Sequence, residues 1–315
     1  SYISFVTLFV GVMFAYNLLS GLLRSIGNSF MPLVFLIISS ILNIGLDLLF
    51  ISSFNMGIKG AAVATVIAQG ISALLCAFYI LKKAKILLPS KKHFAFDRIL
   101  YLELAGQGFS MGFMMSIVSS GTVILQRSIN GFGDSIIAAH TTARKLQSFF
   151  AMPITTLSMA LSTFISQNKG ANKIDRIREG IKIGHIISVV WMILATIIIF
   201  FFDRFLISLV SGSTNEVILY NGSRYLIWNV LFFAPLGILV NLRNALQGLG
   251  KKIVPLISSI IEFFGKIVFV WLFIPKLGYF GVIICEPVIW CLMCIQLVYS
   301  FYTNPYIKQN KSVSA

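Results

Sequence analysis

Three carboxylates, Asp47, Glu262 and Glu286, fall inside long apolar stretches of a sequence that holds only 10 Asp and Glu in 315 residues. A charged side chain at membrane depth costs about 2.5–3.5 kcal/mol on insertion scales, so such a residue is rarely idle. Asn43 precedes Asp47 by one helical turn and shares its helix face. Asp47 lies about 10 Å in from Phe54, and Thr65 about 7.5 Å in from Gly60, at 1.5 Å per helical residue. The three are therefore expected at similar depth on adjacent antiparallel helices. Oxygen groups of this kind suit a hard cation such as Na⁺, and a carboxylate there also suits proton uptake. The alternative is an interhelical hydrogen-bond cluster.

Glu262 and Lys266 stand four apart, Glu first, the better order for an intrahelical pair. They are either a counter-charge for a cationic substrate or a structural ion pair. Glu286 precedes Pro287, which removes a backbone donor and bends its helix, so it is either a gating residue or an internally hydrogen-bonded carboxyl. Of Arg144 and Lys145, one is expected to snorkel outward. Gln126 and Asn130 either line a cavity or join helices. His140 and His185, alone on apolar helices, read as polar packing rather than proton relays. Gly108-Phe-Ser110-Met-Gly112 has the spacing of a hydrolase elbow but lies in an apolar helix, where its two glycines suggest a close helix-packing face. Cys291-x-x-Cys294 is intramembrane with no second ligand pair, and no phosphate-binding loop is present.

The elements that must position these residues follow from composition. The chain is 57 % hydrophobic and 11 % charged, with a mean hydropathy of +0.91; soluble domains carry about 25 % charged residues. That excludes a cytosolic enzyme and points to an all-α polytopic membrane protein. A helix needs roughly 20 apolar residues to span a bilayer core. Nine such stretches are present: Tyr2–Leu23, Leu33–Phe54, Gly60–Leu81, Leu104–Gln126, Ala138–Phe164, Ile183–Phe202, Tyr225–Leu242, Ile253–Ile274 and Leu277–Tyr302.

The net charge of +15 does not imply a nucleic-acid partner, because 17 of the 25 Lys and Arg fall in alternate connections. These include Arg24, the run Lys82–Arg98, Lys169–Lys182, Arg243 with Lys251 and Lys252, and Lys308 with Lys311. The positive-inside rule makes that side, and the C-terminus, cytoplasmic. Residue 1, a Ser that opens directly on an apolar run, then falls outside the cell, as expected of a chain lacking its first helices.

A repeat supports the same expectation. Leu23, Gly27 and Pro32 recur at Leu246, Gly250 and Pro255, and Gly57-x-x-Gly60 recurs at Gly278-x-x-Gly281. Parallel repeats build two-lobed secondary transporters. The expected completion is six plus six helices, with this chain holding the last nine. Residues 1–82 would be the second half of an N-lobe, 83–98 a basic cytoplasmic linker, 99–307 a C-lobe and 308–315 a cytoplasmic tail.

The residues Leu22-Leu23-Arg24-x-x-Gly27-Asn28 with Pro32, Asn43 to Asp47, Gly57 to Thr65, Ile129-Asn130-Gly-Phe-Gly133, and Gln167 to Arg176 resemble the multidrug and toxic compound extrusion (MATE) family of efflux transporters. The resemblance covers nearly the whole chain. It implies a multi-pass secondary antiporter of the cell membrane, exporting organic cations or other amphipathic drugs against Na⁺ or H⁺. No cofactor beyond the coupling ion is implied, membrane lipid is its surroundings, and a monomer is expected. It also implies an N-lobe cation site at Asn43, Asp47 and Thr65. Ser20 stands where relatives place an Asn, and Gly112 to Ser120 hold no carboxylate, so a C-lobe site of the family's design is not expected. The rival within the wider superfamily is a flippase of lipid-linked oligosaccharide or peptidoglycan precursors. A membrane-embedded enzyme would need an acidic or His-rich metal motif that the sequence does not show.

Overall fold

The computed structural model describes residue 7 and residues 9–90 and 96–308, and every regular element among them is helical. In chain order these are α1 (Val10–Ser25), α2 (Phe30–Leu48), α3 (Gly57–Lys83), α4 (Arg98–Asn130), α5 (Asp134–Gly170), α6 (Ile174–Ser211), α7 (Glu216–Val230), α8 (Phe233–Gly248), α9 (Ile253–Val268), α10 (Ile274–Leu277), α11 (Tyr279–Tyr302) and α12 (Pro305–Lys308). The chain divides into two compact units, Ser1–Asp97 and Arg98–Ala315.

Seven of the nine expected stretches appear as helices long and apolar enough to cross a membrane. The first, Tyr2–Leu23, begins outside the described residues, and only its α1 part is seen. The stretch Tyr225–Leu242 is not one straight span. It straddles α7 and α8, which meet at a 56° bend. Apolar content alone does not reveal such a break, because the hydrophobic run continues through it. Taking the bent pair as one span gives eight among the described residues.

The repeat is visible in the backbone. Gly27 and Gly250 both adopt positive φ (87° and 73°) just before α2 and α9. Both helices then carry Pro32 or Pro255 in their first turn, where the missing N–H is harmless. Each helix passes into a five-residue π-helical turn, Leu49–Ser53 and Phe269–Phe273. Gly57 and Gly278, again at positive φ (55° and 59°), start the next segment. Such turns insert a residue into the helical ladder and often mark functional positions.

In the first unit, α3 packs against both α1 and α2. Ser39 Oγ donates to Ala68 O (2.8 Å) and Ser72 Oγ to Phe35 O (3.1 Å), which fixes the antiparallel register of α2 on α3. In the second unit, α5, α6, α7, α8 and α11 share one apolar core that includes Ile154, Ile199, Leu226, Leu242 and Leu297. The main packing partner of α4 is α9. Close approach between α5 and α8 depends on Gly248, where a Cβ would lie 2.6 Å from Ser162 O. Gly108 and Gly112 do not form the packing face their spacing suggests. Among the described residues a Cβ at either meets nothing within 4 Å, and with Phe109 and Phe113 they form an open face of α4.

Arg243, counted from sequence as a connection residue, lies inside α8 and is paired there. The helix runs on to Gly248 because Gly250, not an earlier glycine, supplies the left-handed stop. Lys91, Lys92 and Lys311 fall outside the described residues.

Candidate functional site

Asn43 and Asp47 lie on α2, with Asp47 in the last turn before the π-helical turn. The register set by Ser39 and Ser72 puts Thr65 level with Leu42 and Asn43. Asp47 lies roughly one further turn along, about 7 Å at 1.5 Å per residue. The expected common depth therefore holds for Asn43 and Thr65 and is offset for Asp47. Thr65 Oγ1 donates to Ala61 O in its own helix (2.9 Å). Ser20 is fully buried on α1, where it donates to Asn17 O (3.1 Å) and accepts from Arg24 (3.1 Å).

Two atoms of this group are unsatisfied. Asp47 Oδ1 and Asn43 Nδ2 are buried with no hydrogen-bond partner among the described residues. Most buried polar atoms are hydrogen-bonded, and an orphan carboxylate oxygen in an apolar surrounding is costly. The O and N of an Asn amide are assigned from its partners, and here the buried amide atom has none. With the amide turned over, its oxygen takes that buried position, one helical turn from the Asp47 carboxylate. Among the described residues no cluster of three His, Cys, Asp or Glu could hold a resident metal.

The second unit holds two further charged clusters. At the α4–α8–α9 junction, Lys266 Nζ bonds Glu262 Oε1 (2.9 Å) and Thr122 Oγ1 (3.2 Å). Arg243 Nη2 stands 3.9 Å from Glu262 Oε2, while Arg243 Nε donates to Ser258 Oγ (3.0 Å). Gly121 makes room for this, since a Cβ there would lie 3.1 Å from Lys266 Cδ. The sequence offered Glu262 as a possible counter-charge for a cationic substrate. In the structure two cations already share that one carboxylate, and Arg243 Nη2 is itself buried without a hydrogen bond.

The other cluster joins α5, α7 and α11. Arg144 is ion-paired with Glu286. Gln147 Nε2 donates to Glu286 Oε2 (3.3 Å), and Tyr225 OH reaches both Gln147 Oε1 (3.0 Å) and Glu286 Oε2 (3.5 Å). Next to it, His140 stacks edge-on against Tyr225 (centroids 4.9 Å apart) and shares a hydrogen bond with Tyr279 OH (3.3 Å). Arg144 turns inward and Lys145 is exposed. Gln126 and Asn130 bond each other along one helix (2.8 Å) rather than bridging two.

Sequence reasoning missed Arg243, Gln147 and Tyr225 as partners, and also the buried set Ser158, Ser188 and Asn241 that links α5, α6 and α8. The repeat carried a signal for the first. Arg243 stands four before Gln247, as Ser20 stands four before Arg24, so the cation has moved one turn between copies.

The family model MatE matches residues 111–272. The chain belongs to the MatE family. The probable multidrug resistance protein YpnP of Bacillus subtilis is 28 % identical over 259 residues, covering 81 % of this chain and 57 % of that protein. The probable multidrug resistance protein YoeA of the same organism is 28 % identical over 303 residues, covering 92 % and 64 %. The chain thus spans less than two thirds of either relative. A solved outward-facing conformation of a multidrug resistance MATE family transporter of the MOP superfamily superposes with a TM-score of 0.87 at 19 % identity, covering 98 % of this chain and 70 % of that one. The multi-pass helical fold is therefore that of a MATE transporter, and family members are transporters rather than enzymes.

Proposed function

We propose that this chain forms the last nine helices of a two-lobed antiporter that exports amphipathic or cationic drugs in exchange for Na⁺ or H⁺. In this reading α1–α3 belong to the N-lobe, the second unit is the C-lobe, and the C-terminus is cytoplasmic. The observation that carries it is the unsatisfied pair Asp47 Oδ1 and Asn43 Nδ2 on a membrane-depth helix. A bound Na⁺ or proton removes the cost of that orphan carboxylate, so binding is favourable only while the group is shielded from lipid and open to water from one side. The adjoining π-helical turn, Leu49–Ser53, supplies a segment whose ladder can rearrange as the site fills. The names of the relatives YpnP and YoeA agree with drug export as the activity.

The test is Asp47→Asn in the full-length protein, reconstituted in vesicles with an imposed Na⁺ or pH gradient. Loss of gradient-driven drug movement with intact insertion supports the reading. Drug movement at the unsubstituted rate removes Asp47 from the coupling step.

A second reading is favoured by the cluster around Glu262. Two cations around Glu262 leave a positive excess at the α8–α9 junction, which suits a substrate carrying phosphate or carboxylate, as a lipid-linked precursor does. A Shewanella oneidensis relative, 26 % identical over 290 residues, is named as an FAD transporter. Competition of anionic against cationic substrates in the same vesicles separates the two readings.

A further inference from the structure

A cavity of about 590 Å³ lies between α6, α11 and α12, away from both charged clusters. Its lining mixes three cations, Arg178, Lys182 and Lys308, with the apolar groups of Ile186, Tyr302 and Ile307. Among the described residues no carboxylate lines it. Arg178 is held in place by Ile307 O, to which its Nε donates (3.1 Å), and by Asp175 at 3.5 Å. His185 also lines it and is tied to α8 by Asn241 (3.4 Å).

The cavity's depth can be read from three features. Lys182 is the last charge before the apolar stretch Ile183–Phe202 of α6, which is 20 residues long and so matches a bilayer core. Tyr299 and Tyr302, at the end of α11, are 71 % and 57 % exposed, and exposed tyrosines mark the headgroup level. Ile186, one turn inward of Lys182, is 53 % exposed on the apolar side of that level. Lys182 thus lies at the headgroup level and Ile186 on the acyl-chain side of it. Basic pockets between transmembrane helices are the usual seat of anionic lipid headgroups.

We propose that this cavity is a binding site for an anionic phospholipid, its phosphate held by Arg178, Lys182 and Lys308 and an acyl chain laid along Ile186 and the ring of Tyr302. A lipid seated there bridges α6 to α12 and so fastens α12 to the bundle.

The test is native mass spectrometry of the purified full chain offered phosphatidylglycerol or phosphatidylcholine, with the double variant Lys182→Gln and Lys308→Gln. Each basic side chain near a membrane surface contributes about fivefold to binding, so the double variant should retain phosphatidylglycerol about 30-fold less well. A control, Lys251→Gln with Lys252→Gln, removes the same charge from the α8–α9 connection and should retain the lipid as the unsubstituted chain does. Ile186→Trp, which fills the apolar slot with all charges kept, should also lose the lipid. Equal retention of both lipids, an equal loss in the control, or no loss in the double variant would overturn the proposal. Inorganic phosphate that binds as tightly and displaces the lipid would identify a soluble anion instead, and would overturn it too.

Discussion

Arg144 and Glu286 are 142 positions apart in the sequence and form an ion pair that joins α5 to α11. Glu286 sits immediately before Pro287, inside α11. The proline leaves the carbonyl of Ile283, one turn earlier, without its usual backbone donor, and the side chain of Asn229 donates to it instead (3.3 Å). The charged tie across this part of the unit is thus made where the helix has lost a rung of its own ladder. Tyr225 and Gln147 complete the carboxylate's bonding.

Removing one partner should therefore cost more than removing both. Breaking a fully buried pair costs about 3–5 kcal/mol; the Arg144 side chain is 34 % exposed, so about 1–3 kcal/mol is expected for Glu286→Gln. Arg144→Met combined with Glu286→Met should recover most of that loss. Thermal unfolding in detergent measures both, and a double variant less stable than either single one contradicts the reading.

The cluster around Glu262 predicts an asymmetry of another kind. Glu262→Gln leaves Lys266 and Arg243 buried together without a counter-charge, and should destabilise by several kcal/mol. Lys266→Met should be milder, because Arg243, now 3.9 Å from Glu262, can close on the carboxylate it shares. Unfolding midpoints of the two variants compare them directly. Equal losses would show that Arg243 does not take over.

Orientation can be checked at the two ends of α6. Single cysteines at Thr214 and at Ala171 lie just beyond opposite ends of a 38-residue helix. With the basic connections inside, an impermeant thiol reagent added to intact cells should label Thr214→Cys and miss Ala171→Cys. Labelling in the reverse sense would invert the proposed topology.

Much of this was legible in the sequence for a physical reason. Helices in lipid satisfy their own backbone, so apolar length reports spans directly. The repeat glycines were readable because positive φ leaves few other residues possible, as Gly27 and Gly250 show. Partner choice was not readable. Gln147 and Tyr225 reach Glu286 only because α5, α7 and α11 pack together, and nothing in local pattern encodes that. The bend between Val230 and Phe233 had one local signal, Pro235, which cannot donate to Leu231 O. That signal does not discriminate, since Pro153 and Pro287 sit inside continuous helices. Asp47 could be picked out by its type and depth, but its orphan oxygen appears only once its neighbours are placed.

The last prediction separates glycines that pack from glycines that merely share a spacing. Gly248 lets α8 approach α5 so closely that a Cβ would meet the backbone oxygen of Ser162 at 2.6 Å. A backbone atom cannot swing aside as a side chain can, so Gly248→Ala must push the helices apart and open the contact along its length. Overpacking of this kind costs about 1–3 kcal/mol. Gly108→Ala meets nothing within 4 Å, and alanine is the better helix former by about 1 kcal/mol, so that variant should be neutral or slightly more stable. Melting both variants in the same detergent gives the comparison. A loss at Gly108 as large as that at Gly248 would mean that the Gly108–Gly112 face is packed in the membrane after all, as its spacing first suggested.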